Sequence, residues 1–259
     1  MREIDPSIKF LHCMPKSEYL VAALRNGLML TDHKVKFSVT EDKDQLAALL
    51  QEILPLLEFK LATLALDLKS LPKDREKMLF AGIGAMRGSI PMICLTEVPP
   101  GKTLKQHQMV FGSFGLVPRN HWVVSNNAER IIYAGHNSPA SKILFKCIAS
   151  MHILGLHLDK NGLLLFDTRT HQTALPLLSY FESRQNLSEA EWRIAGSTGY
   201  FGGARNTGGT IPLLLEDIEY IFVPSSALND IQSLVDEVAV EQSCTVKPCV
   251  VEFPEVMPV

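Results

Sequence analysis

No CxxC pair occurs among the five cysteines, Cys13, Cys94, Cys147, Cys244 and Cys249. Their odd number and wide spread disfavour a disulfide framework and a zinc cluster alike, and point to free thiols in a reducing compartment. Cys244 and Cys249 are the one pair near enough in sequence for a bridge to be considered. There is no HExxH, and His152 and His157 have the wrong spacing for one helix face, so no metal site is expected. There is no GxGxxG opening a helix, no Walker lysine and no GxSxG elbow, which removes the common nucleotide folds and the α/β-hydrolases. Neither sign of charge dominates: 25 Lys and Arg against 28 Asp and Glu leave a net charge of −3. That excludes a strongly basic nucleic-acid binder, though not a local basic groove. Long apolar runs are also missing, because Glu52, Pro55, Glu58, Lys60 and Asp67 interrupt the most apolar stretch. The opening "MREIDPSIKFLHCMP" has no signal-peptide core, and the expectation is a cytoplasmic protein without a membrane partner.

What remains is ordinary globular composition, 46% hydrophobic and 20% charged over 259 residues. "IKFLHCM" (8–14) reads as a buried strand and "KSEYLVAALRNG" as a helix with Ser17 as cap and Gly27 as stop. Residues 40–72 are the strongest helical stretch, with Thr40 as cap and Pro55 expected to kink or split it. "SIPMICLTEV", "VFGSFGLVP", "RIIYAGH", "IEYIFVPS" and "TVKPCVVEF" read as strands, and "SKILFKCIASMHILGL" and "SALNDIQSLVDEVAVEQ" as helices. "NGLLLFD" reads as a strand or hairpin and "ALPLLSYFES" as a short helix. No repeat, low-complexity tract or linker divides the chain. The expected fold is one α+β domain over 1–259, with a helical insertion at about 40–80.

The stretch "NLSEAEWRIAGS" carries the sharpest chemical pattern. If it is extended, Glu189 and Glu191 face the same side and repel, and Arg193 faces that side too and can pair with Glu191. Two readings are open: a solvated strand face, or a carboxylate pair held in a cleft. His12 in its apolar strand is either a core histidine bonded to backbone or a ligand contact. Phe111 and Phe114 are either core packing or a stacking platform. His107, flanked by polar residues, reads as exposed and suited to binding. The glycine-rich "STGYFGGARNTGGT" reads as a lid carrying Tyr200 and Arg205, or as a hairpin tip.

Residues 90–117, "IPMICLTEVPPGKTLKQHQMVFGSFGLV", resemble the AbiGi abortive-infection family of bacterial phage-resistance proteins. The matching residues are Pro91, Met92, Cys94, Thr96, Glu97, Pro99, His107, Phe111, Gly112, Phe114 and Gly115. "EAEWRI" resembles that family's later Glu-x-Glu-Trp-Arg segment. Leu95 stands where an aromatic is usual and Glu97 where Asp is usual. The resemblance covers about half of the chain and leaves 40–80 outside it.

The order of parts is also similar to that of ADP-ribosyltransferases of the DarT type. This likeness implies a central mixed or split β-sheet and NAD as substrate, with transfer of ADP-ribose to a macromolecular acceptor, nucleic acid or protein. His12, Arg87, Thr96, Phe111 and Phe114 would then contact NAD, Glu191 would be the key carboxylate, and Glu189 the second of the pair. Breaking the nicotinamide–ribose bond builds an oxocarbenium-like cation, which a nearby carboxylate stabilises. Arg87 or Arg193 would grip the pyrophosphate. The family resemblance also implies a rival from another class, a non-catalytic antitoxin that binds a cognate toxin or its own operator.

Overall fold

The computed structural model describes residues 5, 7–37, 39–40, 42–84, 87–167, 177–183, 190–195 and 209–258. The chain opens with β1 (Lys9–Met14), α1 (Ser17–Asn26), β2 (Leu28–Met29) and β3 (Thr31–Lys36). Helices α2 (Lys43–Thr63) and α3 (Lys73–Ile83) precede the 12-residue β4 (Arg87–Val98). Then come α4 (Lys105–Phe111), β5 (Phe114–Pro118), α5 (Asn120–Ser125), β6 (Glu129–Arg130), β7 (Ile132–Ala134) and α6 (Pro139–Leu154). A hairpin follows, β8 (Leu156–Leu158) with β9 (Leu164–Phe166), and then β10 (Phe181–Ser183), β11 (Glu191–Ala195) and β12 (Thr210–Ile211). The last elements are β13 (Ile218–Val223), α7 (Leu228–Glu241) and β14 (Cys249–Glu252).

The fold is α+β, with a mixed eight-stranded sheet ordered β14-β13-β5-β1-β4-β11-β6 and β3 added beside β4. β13 and β14 run parallel and the other pairings in the sheet are antiparallel. β4 is apolar on both faces because both are covered. Ile90 and Met92 pack into a core with Leu49, Ile53, Leu57 and Leu61 of α2, Ile83 of α3 and Ile148 of α6. Ile93 and Leu95 turn the other way, into a core with Leu20 and Leu24 of α1, Trp122 of α5 and Val235 of α7.

β1 serves two partners. Its first half pairs with β4, ending at Leu11 opposite Thr96, and its second half pairs with β5, beginning at His12 opposite Leu116. On the same edge of β4, β3 begins only at Thr31 opposite Met92. Among the described residues no strand pairs with Ile93, Cys94 and Leu95 along that edge, and the sheet splits there.

Several expectations need correcting. The cap of α2 is Asp42, whose side chain accepts from the N–H groups of Asp44 and Gln45, while Thr40 accepts from Asp42 N–H. Helix α2 runs through Pro55 without splitting. Pro55 and Gln51, whose carbonyl loses its helical donor, are both exposed, so water meets that carbonyl. Lys16, not Ser17, holds the N-cap position of α1, and no side chain caps that end. The "VFGSFGLVP" stretch is half helix: Phe111 ends α4 and Phe114 begins β5, with Gly112 at φ 120 between them. "FES" is a strand, β10, pairing in parallel with β7. All five cysteines are free.

Gly27 ends α1 at φ 86, and a Cβ there would lie 2.3 Å from the Ile211 carbonyl oxygen. Gly27→Ala combines a left-handed backbone with a clash against main chain. It is expected to cost more than about 1 kcal/mol in urea unfolding.

Candidate functional site

The split in the sheet opens into a cavity of about 600 Å³, inside the usual range for small-molecule sites. His12 and Cys13 of β1, Thr31 and His33 of β3, and Met92, Cys94 and Thr96 of β4 line it. Glu191 stands on the far wall, and α1 contributes Tyr19, Ala22, Ala23 and Asn26. Tyr19, Met29 and Phe111 are the exposed apolar groups along it. No lysine or arginine lines it among the described residues.

The strands dictate which residues meet. Thr96 sits directly opposite Glu191 in the β4–β11 register, and alternation puts Cys94 and Arg193 one step along the same face. Trp192 takes the opposite face, where its ring meets Phe10 edge-on at 5.1 Å and its Nε1 donates to Glu97 at 2.7 Å. Glu97 therefore belongs to the far face, where it also pairs with Arg130.

Glu191 is only 8% exposed and Arg193 only 9%. Arg193 grips Glu191 with both arms, Nε to Oε1 at 2.8 Å and Nη2 to Oε2 at 3.0 Å. Its Nη1 donates to the Ser179 carbonyl at 2.6 Å, and Nη2 also reaches Glu182 Oε2 at 2.6 Å. Burial opposes the guanidinium charge, but hydrogen bonds and charge from Glu191, with Cys94 and Glu182 behind them, outweigh it and raise the Arg193 pKa. Arg193 thus pairs with Glu191 and is not available to a pyrophosphate.

His12 spans the split: its Nδ1 lies 2.8 Å from the Cys94 carbonyl oxygen, so Nδ1 carries the proton and donates. Burial lowers its pKa against that hydrogen bond, with His33 lowering it further. His33 is lowered by burial and then by the Arg193 charge, partly offset by Glu191 and Asp32. Both imidazoles are neutral at pH 7. The thiols are inert for related reasons. Burial pushes Cys13 up to about 12, and burial followed by the Glu191 charge raises Cys94 further.

Three of the sequence candidates from separate elements, His12, Thr96 and Glu191, share this cavity with Phe111. Phe114 does not line it; it starts β5 and packs against the core. Arg87 begins β4, nine residues before Thr96, which is about 30 Å of extended strand. Glu189 lies outside the described residues, as do Tyr200 and Arg205. Ala190, just before Glu191, has φ 43, so the backbone is not extended at that residue. His107 is buried rather than exposed, with its ring 5.7 Å from Phe111 and, among the described residues, no hydrogen-bond partner for its Nε2. Glu182 and His33 were not foreseen. Nothing in "SYFES" or "TDHKVK" signals a site until β10 and β3 are placed beside Glu191.

The buried histidines make stability depend on pH. His12, His33 and His107 all have lowered folded-state values, so the unfolded chain binds more protons below about 6.5. Their contribution is complete above that value and is lost as pH falls through it. Urea midpoints should fall between pH 7.5 and 5.5, and His107→Asn should reduce the fall.

Comparison with protein-family models, with curated proteins and with solved structures gives no match for this chain. Among the described residues no group of His, Cys, Asp and Glu could hold a metal ion, and no helix is long and apolar enough to cross a membrane.

Proposed function

We propose that the chain is an ADP-ribosyltransferase-like protein of anti-phage abortive infection, transferring ADP-ribose from NAD to a macromolecular target. The observation that carries this reading is the meeting of His12, Thr96 and Glu191 in one cavity at a split in the sheet, although they lie on three strands far apart in sequence. The volume suits a nucleotide, and the rings of Tyr19 and Phe111 offer stacking surfaces to nicotinamide or adenine.

In that chemistry the buried Glu191 carboxylate stabilises the positive charge that develops on the ribose as the nicotinamide bond breaks. Arg193 keeps Glu191 in one rotamer, which removes reorganisation at the moment of reaction. Neutral His12, with Nδ1 committed to Cys94, can accept a ribose hydroxyl proton in a hydrogen bond through Nε2. Thr96 supplies a second hydroxyl contact beside Glu191.

The grip of Arg193 on Glu191 favours one second reading, a non-catalytic partner that binds a toxin, with the carboxylate serving as a structural ion pair. Incubation with adenylate-labelled NAD and cell extract separates the two. Label in a nuclease- or protease-sensitive fraction, with free nicotinamide, supports the enzyme and names the acceptor class. No release of nicotinamide in the presence of extract, with the fold intact, refutes it.

A further inference from the structure

Glu191 opens β11, and the peptide unit that joins it to Ala190 is held from both sides. The Ala190 carbonyl accepts from Glu97 N–H at 2.9 Å, on the β4 side. The Glu191 N–H donates to the Tyr133 hydroxyl at 3.2 Å, on the side away from β4. A regular ladder would use a different acceptor. β6 pairs Arg130 with Trp192, and one step further Ile131 N–H donates to the Glu191 carbonyl at 3.0 Å. In a regular antiparallel pair Glu191 N–H would return that bond to Ile131. The chain turns away at this point: Ile132 N–H donates to the Tyr180 carbonyl at 2.8 Å, and β7 goes on to pair with β10. Glu191 N–H goes instead to a side-chain oxygen that β7 supplies.

We propose that Tyr133 is a positioning residue for Glu191: its hydroxyl fixes the Ala190–Glu191 peptide plane, and with it the direction in which the Glu191 side chain leaves β11 for the cavity. The peptide is rigid, so turning its plane changes ψ of Ala190 and φ of Glu191 together. Ala190 at φ 43 gives that plane a reason to turn, since alanine keeps a left-handed backbone only where its surroundings impose it. Without the hydroxyl, the Glu97 bond to the Ala190 carbonyl is left to hold the plane. The division of labour is clear. Arg193 fixes the carboxylate by gripping both of its oxygens, and Tyr133 fixes the main chain from which the side chain starts. Both holds lead to one ribbon. Glu182 stands opposite Tyr133 in the β7–β10 register and reaches Arg193 Nη2 at 2.6 Å.

The hold on the main chain stands on this geometry; its value for turnover rests on the proposed NAD chemistry. Tyr133→Phe keeps the ring and removes only the hydroxyl. Amide hydrogen exchange of the full-length chain labelled with nitrogen-15 glutamate reads the bond, and loss of a signal in Glu191→Gln identifies the Glu191 amide. Exchange at Glu191 should become about threefold to tenfold faster in Tyr133→Phe, the worth of one neutral hydrogen bond. Exchange at Glu237, on α7, should stay as it was. Unchanged exchange at Glu191, or an equal rise at Glu191 and Glu237, overturns the proposal. In nicotinamide release, Tyr133→Phe should lower kcat by about tenfold or more with KM little changed, because a misdirected carboxylate is lost to the transition state. A tyrosine that only supports the fold would lower the urea midpoint and leave kcat of the folded chain alone. Wild-type kcat in a folded Tyr133→Phe chain therefore overturns the positioning role. If the wild type itself releases no nicotinamide, the NAD reading fails, and the exchange measurement still decides whether Tyr133 holds Glu191.

Discussion

Glu191→Gln is expected to lower nicotinamide release by about 10²–10³-fold, with the loss in kcat rather than KM. The change removes one negative charge at the place where a cation is proposed to form, together with one of the two acceptors that Glu191 gives Arg193. The glutamine oxygen still accepts from Arg193, which keeps its bonds to the Ser179 carbonyl and Glu182. Trp192 and Ile194 anchor β11 from its other face. Circular dichroism should therefore stay near wild type while turnover collapses, with the urea midpoint lowered by the half of the fork that is lost. Loss of fold together with loss of turnover would mean that Glu191 is structural first. Unchanged turnover would remove it from the chemistry.

Arg193→Met should cost about 3–5 kcal/mol, a large share of a typical domain's stability. Methionine restores the apolar volume but takes both guanidinium bonds from Glu191 and one bond each from Glu182 and the Ser179 carbonyl. The sign with pH is distinctive: acid protonates a buried carboxylate that has lost its guanidinium, so the deficit should shrink as pH falls. Arg193→Lys keeps the charge, but one ammonium cannot reproduce a planar fork that meets four acceptor atoms. It should recover only part of the loss. Urea unfolding of both variants at pH 7 and pH 5 measures this.

The strands β1 and β13 and the later part of β4 were legible because each holds an apolar run that ends at a proline, Pro15, Pro224 and Pro99, and α7 because its apolar positions recur at helical spacing. α4 was not. Seven residues, "KQHQMVF", are too few for a period, and the glycines after them read as strand punctuation. His107 followed from that error, since a polar-flanked histidine is exposed on a strand edge but here turns inward against Phe111. In the site, the order His12, Thr96, Glu191 was readable, but their convergence depends on a register and on a gap between β1 and β3 that no local pattern encodes. The pairing of Arg193 with Glu191 was readable from alternation two residues apart. Glu182 was not, because β10 and β11 are brought together only by tertiary folding. The left-handed backbone at Ala190 is invisible for the same reason, as alanine carries no preference for it.

The helices of 43–83 pack on α6 and do not border the cavity, so they extend the core beside the site instead of covering it. The central claim is that the cavity at the split receives NAD, and calorimetric titration of NAD into the Glu191→Gln chain tests it without consuming the ligand. Saturable binding is predicted, abolished when Ala22→Trp is added to fill the cavity from α1. No heat from a folded Glu191→Gln chain, or binding that survives Ala22→Trp, would contradict it.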